Sequence, residues 1–282
     1  MNRARRLSFT LLLLTTLLLA QGPSHFRPGF NLFSKQQDIQ LGKESAAQVR
    51  KQMVMVKDPF LNRYVNEVGK RLVSSQEAQA SGFPFTFEVV ADSSINAFAL
   101  PGGPMFINTG LLKAVDNEAQ LAGVMGHEMS HVILRHGTNQ ASKAQLLQLP
   151  ALLGSQMAGN TSMLGKLTQV GIGLGANSVL LKFSRTAESQ ADLTGSHIMA
   201  ESGYNPTEMA RFFEKLSQQA GGGGNGLQFL SDHPNPDNRQ RAIEQEVGRL
   251  PRRTYGYESG DFQRMKQVVG TIKEPPPKSR AQ

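Results

Sequence analysis

His127-Glu128-Met129-Ser130-His131 is the stretch from which the rest of this chain is read. Histidines four residues apart stand one above the other on a helix face, close enough to share one ion. Glu128, beside the first of them, can then reach the water on that ion rather than the ion itself. A helix is expected here, because Asp116 or Asn117 can cap one that runs to about His136. Leu121, Val124, Met125, Val132 and Ile133 make most of its surface apolar. Such a helix is buried, and imidazoles inside it need partners. With 6 His among 282 residues, a chance match to the pattern is rare.

A catalytic metal needs a third protein ligand and an open position. The chain has no Cys, so that ligand is a carboxylate or another His, and disulfides, thiol catalysis and a lipid-bearing Cys are excluded. Glu188 and Asp192 stand four apart on a second expected helix, about 185–201, which stops at Gly203 before Pro206 begins the next. Glu188 can reach a metal while Asp192 accepts a hydrogen bond from a ligand histidine's other ring nitrogen. The same spacing is common on solvated helix faces, and by itself it leaves both readings open. His136, five residues past His131, falls off the ligand face and is expected at the surface or at a helix C-terminus. His197, nine past Glu188, is expected to pack or be solvated, and His25 to sit in a linker.

Outward from these helices, residues 31–75 read as helical, with a new start after Asp58-Pro59. Residues 85–90 alternate as a strand. Residues 97–100 and 105–108 flank Pro101-Gly102-Gly103-Pro104, which reads as a turn in a small antiparallel sheet. Weaker helices are expected over 139–158 and 161–182, and residues 221–224 read as a flexible break. At the N-terminus Arg3, Arg5 and Arg6 precede an apolar run of 14 residues. That run is short of the ~20 a membrane span needs and fits a signal peptide over residues 1–22. Export is expected, with an uncleaved leader as membrane anchor the alternative. Without those three arginines the formal charge of +8 falls to +5. No basic stripe interleaved with aromatics points to nucleic acid.

The string Asn96-Ala97-Phe98-Ala99-Leu100-Pro101-Gly102-Gly103, then Phe106-Ile107-Asn108-Thr109-Gly110-Leu111-Leu112, then Asn117-Glu118 and the H-E-x-x-H, resembles the zinc metallopeptidase family of the CAAX prenyl protease and HtpX. Ser184-Arg185-Thr186-Ala187-Glu188-Ser189-Gln190-Ala191-Asp192 is similar to that family's third-ligand helix. His233-Pro234 with Arg239 resembles its downstream H-P…R element, and Asn31-Leu32-Phe33-Ser34 its exported periplasmic members. HtpX-like membrane helices and the 34-residue helical repeats of some members are not legible here, which bears on substrate capture rather than chemistry.

The resemblance implies one Zn2+ per chain on His127, His131 and Glu188, with Asp192 behind a ligand histidine and Glu128 as general base. It implies that Asn96, Ala97 and Phe98 belong to an edge strand on which an extended substrate pairs. His233 and Arg239 are expected to stabilise the oxyanion, or His233 to cap the metal and hold the enzyme latent. The expected architecture is α+β and mostly helical: a zincin-like metallopeptidase domain over 31–272, with a small antiparallel sheet, then a disordered tail over 273–282. The expected activity is endopeptidase cleavage of misfolded or misassembled envelope proteins in the periplasm. Peripheral association with the membrane or with outer-membrane assembly machinery would fit that role. The alternative is a chaperone-like binding module with a structural or latent zinc.

Overall fold

The computed structural model describes residues 22–152, 183–221, 227–234 and 238–275. Residues 1–21 of the expected signal peptide over 1–22, residues 153–158 of the expected helix over 139–158, the expected helix over 161–182, the glycine run beyond Gly221 and the tail beyond residue 275 lie outside these. Residues 22–34 form an extended strap that leads into α1 (Lys35–Gln52), which opens with a Ser34/Gln37 capping box. Next comes α2 (Pro59–Val73). Asp58 caps it by accepting from Leu61 N, with Pro59 in the first turn where its missing N–H costs nothing. The short α3 (Gln76–Ser81) precedes β1 (Thr86–Val90), β2 (Ala97–Ala99) and β3 (Pro104–Asn108). Then follow α4 (Thr109–Ala114), α5 (Glu118–Ile133), α6 (His136–Leu152), α7 (Arg185–Glu201), α8 (Thr207–Gly221), α9 (Leu227–Asp232), α10 (Arg239–Arg249) and α11 (Phe262–Thr271).

The mostly helical α+β architecture is as expected, but the sheet is mixed rather than wholly antiparallel. β2 and β3 make the antiparallel pair that the Pro-Gly-Gly-Pro turn demands, with Phe98 opposite Phe106. β1 instead runs parallel to β3, with Phe87 opposite Met105, so the strand order is β1-β3-β2. The loop between β1 and β2 carries the chain past β3, tied down where Asp92 O accepts from Gly110 N. Alternation in β1 fixes which side chains point inward, but it carries no information about strand direction. All five residues of the central β3 are buried, as befits a strand covered on both faces.

The main core gathers Leu61, Leu72, Ile107, Met125, Ile198 and Phe212, each fully buried. Burying each such side chain stabilises the fold by roughly 1.5–3 kcal/mol. Through its centre runs α5, in which every residue from Gln120 to Val132 is buried. Asn117 caps it, its side chain accepting from Gln120 N at 2.9 Å, a contribution of about 1 kcal/mol. α7 crosses α5 in backbone contact at Gly195: a Cβ there would stand 3.1 Å from His127 N and 3.2 Å from Gly126 C. Gly195 lets the two motif-bearing helices approach closely enough for their side chains to meet at one point. No helix among the described residues is long and apolar enough to cross a membrane.

Candidate metal centre

α5 presents His127 and His131 on one face, with ring centroids 4.8 Å apart. α7 begins at Ser184, whose side chain accepts from Ala187 N, and this sets Glu188 in the first turn facing α5. α9 ends one residue before His233, which hangs from Phe229 O through its backbone N–H and stacks on the Phe229 ring at 4.7 Å. These elements bring His127, His131, Glu188 and His233 together with one donor atom each inside a 4.8 Å span, all buried.

The spacing fits a metal. His127 Nε2 lies 3.1 Å from His131 Nε2 and 3.3 Å from both Glu188 Oε2 and His233 Nδ1. Glu188 Oε1 lies 3.5 Å from His131 Nε2 and 3.1 Å from His233 Nδ1. Donors held at 2.0–2.1 Å from a tetrahedral zinc stand about 3.3–3.4 Å from one another.

The hydrogen bonds behind these atoms aim the right nitrogens inward. His127 Nδ1 meets Asp192 Oδ1 at 3.0 Å, so the proton sits on Nδ1 and the Nε2 lone pair faces the cluster. His136 Nε2 donates to Gln190 Oε1 at 3.1 Å, and its Nδ1, 3.0 Å from His131 Nδ1, accepts from that ring. His131 Nε2 is thereby left as a lone pair. Arg239 joins both carboxylates, with Nε on Asp192 Oδ2 at 2.6 Å and Nη2 on Glu188 Oε2 at 2.9 Å. Its guanidinium lies over the Phe213 ring at 4.2 Å.

Electrostatics follow burial and these partners. Burial drives His131 well below its ordinary value and His136 down to about 4. Burial also opposes charge on His127, but Asp192 and Glu188 outweigh it and raise the ring to about 9. Against burial, His127 and His233 hold Glu188 far below the usual carboxylate range. Two carboxylates thus draw positive charge to this point, and a metal ion answers the same demand by displacing the proton. Glu128 is different: burial pushes it up. One of its oxygens accepts from Ala99 N at 3.2 Å. The other, Oε1, has no hydrogen-bond partner and lies 3.2 Å from His233 Nε2.

Residues 59–247 match the model of peptidase family M48. The chain belongs to that family. It is 34% identical over 207 residues to the beta-barrel assembly-enhancing protease of Escherichia coli (strain K12), a match covering 72% of this chain and 42% of that protein. The corresponding protein of Yersinia pestis is 32% identical over 213 residues. The mitochondrial metalloendopeptidase OMA1 of Schizosaccharomyces pombe is 30% identical over 182 residues, 64% of this chain and 52% of that protein. The chain spans about half the length of the curated relatives it matches.

In this M48 chain His127, Glu128, His131, Glu188, Asp192, His233 and Arg239 all meet at one buried locus. The edge-strand residues divide. Leu100 N and Asn96 O pair with β3, so the backbone groups of Ala97 and Ala99 face the sheet's free edge, and Ala99 N reaches Glu128. The Phe98 side chain stacks on Phe106 in a small separate core and does not enter the site. Asn96 donates to Asp232, the residue before His233. His136 is a correction: it is buried against His131 at the start of α6, rather than at the surface or at a helix C-terminus. α5 ends at Ile133, and Arg135 takes a left-handed φ of 56°, held by Asp38 and Phe33 O, which turns the chain back. No sequence signal marks a left-handed arginine. Phe183, stacked on His131 with centroids 4.0 Å apart, likewise had no motif to announce it.

Proposed function

We propose that this chain is a zinc-dependent endopeptidase of the bacterial cell envelope that hydrolyses peptide bonds in misfolded or misassembled proteins. The observation that carries the reading is the convergence of four metal-donor atoms beside the under-bonded Glu128 carboxylate. Two imidazoles and a carboxylate at tetrahedral spacing suit zinc better than the harder cations, which prefer oxygen. A zinc ion there would supply Lewis-acid activation of water and of the scissile carbonyl.

The chain's own residues do the rest. Glu128, raised by burial, takes a proton from the attacking water and returns it to the leaving amine. Arg239 and Asp192 hold Glu188 and His127 in place. The free edge at Ala97 and Ala99 offers backbone groups to an extended substrate. Ala99 N donates to Glu128, so a substrate strand and Glu128 share that N–H. Envelope location rests on the leader-like N-terminus, and action on misassembled proteins and contact with assembly machinery on the bacterial relatives' name, beta-barrel assembly-enhancing protease.

His233 closes the resting site. Its Nδ1 stands at the fourth corner and its Nε2 at Glu128 Oε1, so one ring covers both the open metal position and the base. Latency predicts that His233→Ala raises basal cleavage. Service to the oxyanion predicts a fall of roughly 10²–10³. The primary test is digestion of an unfolded protein such as reduced, denatured casein, with chelator and then with zinc restored. Loss on chelation and recovery with zinc is expected. Digestion indifferent to chelation would overturn the reading.

A further inference from the structure

A second group of metal-type side chains lies outside this centre. His197, near the other end of α7, is buried with a carboxylate at each ring nitrogen. Nε2 is 2.7 Å from Glu246 Oε1 and Nδ1 is 3.1 Å from Glu77 Oε1. A neutral imidazole has one N–H and one lone pair, so it can donate to only one of the two. Glu246 is the acceptor: it is fully buried, has the shorter contact, and also takes bonds from Ser24 N, Ser24 Oγ and Arg249.

That leaves the Nδ1 lone pair facing a carboxylate, which is repulsive unless a cation or a second proton sits between them. Glu77 Oε2 is buried with no hydrogen-bond partner. Into this gap comes His25, whose ring stands edge-on to His197 with centroids 5.7 Å apart. One donor atom each from His25, Glu77 and His197 falls inside a 4.8 Å span.

We propose that His25, Glu77 and His197 form a second divalent-cation site, with Glu246 holding His197 in the ligating tautomer. Two imidazoles and one carboxylate select a borderline cation of the zinc type over calcium or magnesium. Glu246 behind His197 repeats the carboxylate–histidine arrangement seen for Asp192 behind His127. The site is half open, since His25 is exposed, which gives the ion an entry path. Its role is to staple the N-terminal strap to α3 and α7. The strap's other end is already tied to α6, where Asn31 donates to Thr138 at 2.7 Å and Leu32 N to Ser142 at 2.9 Å. A cation at His25 would add to the hold that Ser24 already has on Glu246 at this end.

This proposal stands apart from the peptidase reading, and one experiment separates them. The whole exported chain is stripped with chelator and dialysed against zinc, and bound zinc per chain is counted. Wild type is expected to hold two ions, His25→Ala one, Glu77→Gln one and the double variant His127→Ala/His131→Ala one. Glu246→Gln should weaken the second ion roughly 10–100-fold. Because His25 is exposed, its variant keeps the fold even where His197→Ala does not. As a second readout, zinc should slow amide exchange over residues 22–34 in wild type and in His127→Ala/His131→Ala, and not in His25→Ala. One ion in wild type, unchanged by His25→Ala and Glu77→Gln, overturns the proposal and assigns the gap to a proton on His197. Two ions that survive both substitutions place the second elsewhere and overturn it as well. A count unaffected by His127→Ala/His131→Ala instead sinks the catalytic-metal reading and leaves this one standing.

Discussion

The two ends of α7 solve opposite problems with the same residue types. Toward its start, three imidazoles crowd one carboxylate, Glu188, and bonds behind two of them, Asp192 on His127 and His136 on His131, aim an Nε2 of each at the same point. Nine residues on, about 13 Å along the helix, one imidazole lies between two carboxylates. The first cluster converges on one point, where its carboxylates draw a positive charge that a proton on His127 or a metal in its place can supply. The second can be satisfied by a proton or by a metal, because the Nδ1 of His197 facing Glu77 can take either. Ligand identity alone therefore does not distinguish a catalytic centre from a structural clamp. An adjacent carboxylate outside the donor set, Glu128, with an oxygen to spare, does.

The sharpest way to test the contrast is through that base. Glu128→Gln keeps the size of the side chain and touches no donor atom. Turnover of an unfolded protein should fall by roughly 10²–10⁴, while bound metal stays at the wild-type amount. Retained turnover would mean that the free Glu128 oxygen is not the catalytic one. A smaller effect comes from metal removal. Since a ligand that binds only the folded state stabilises it, zinc at about 100 times its Kd should contribute about 2.7 kcal/mol. Chelation should therefore lower Tm by several degrees, and Glu128→Gln should show the same drop. If scanning calorimetry finds no chelator effect, the histidine-rich cluster does not hold an ion. Smaller again is Asp192→Ala, which removes the acceptor behind His127 and one anchor of Arg239. Metal affinity should weaken roughly 10–100-fold, read by competition with a chromogenic chelator. An unchanged affinity would reduce Asp192 to a structural partner of Arg239.

Much of this was legible in the sequence where a residue's role is set by its neighbours along a helix. The i, i+4 pair at His127 and His131, the Asn117 cap and the bounds of α7 all follow from local rules. The Glu188–Asp192 pair needed family resemblance, because spacing alone cannot tell a buried helix face from a solvated one. What escaped depends on contacts between distant segments. His136 looked misplaced because a regular helix carries position 136 away from position 131, and only the left-handed turn at Arg135 brings it back. His197 read as packing or solvated because its partners, Glu77 and Glu246, lie 120 and 49 residues away. The parallel pairing of β1 was hidden for the same reason, since strand direction is set by the connection and not by alternation.

The finest test of the comparison is at the residue the two ends share. Gly195 lies between Asp192 and His197 on α7, where that helix meets α5. A Cβ at 195 would stand 3.1 Å from His127 N, 3.2 Å from Gly126 C and 3.3 Å from His127 Cα. These are backbone atoms of the neighbouring helix and cannot rotate aside, so Gly195→Ala must push the helices apart by a few tenths of an ångström. In an isolated helix the same change is favourable by about 1 kcal/mol, whereas overpacking costs about 1–3 kcal/mol. The net loss of stability should be small, about 1 kcal/mol, and visible as a modest fall in Tm. The two clusters should respond differently. His127 and His131 sit on α5 while Glu188 sits on α7, so separation stretches the catalytic set directly and weakens its metal. His197 meets Glu77 and Glu246, neither of which is on α5, so that cluster should be spared. Gly126→Ala supplies the control: its Cβ would meet nothing closer than 3.4 Å, an ordinary contact, and it should leave metal binding intact. Equal effects of the two substitutions on catalytic metal affinity would mean that the crossing at Gly195 does not set the geometry of the site.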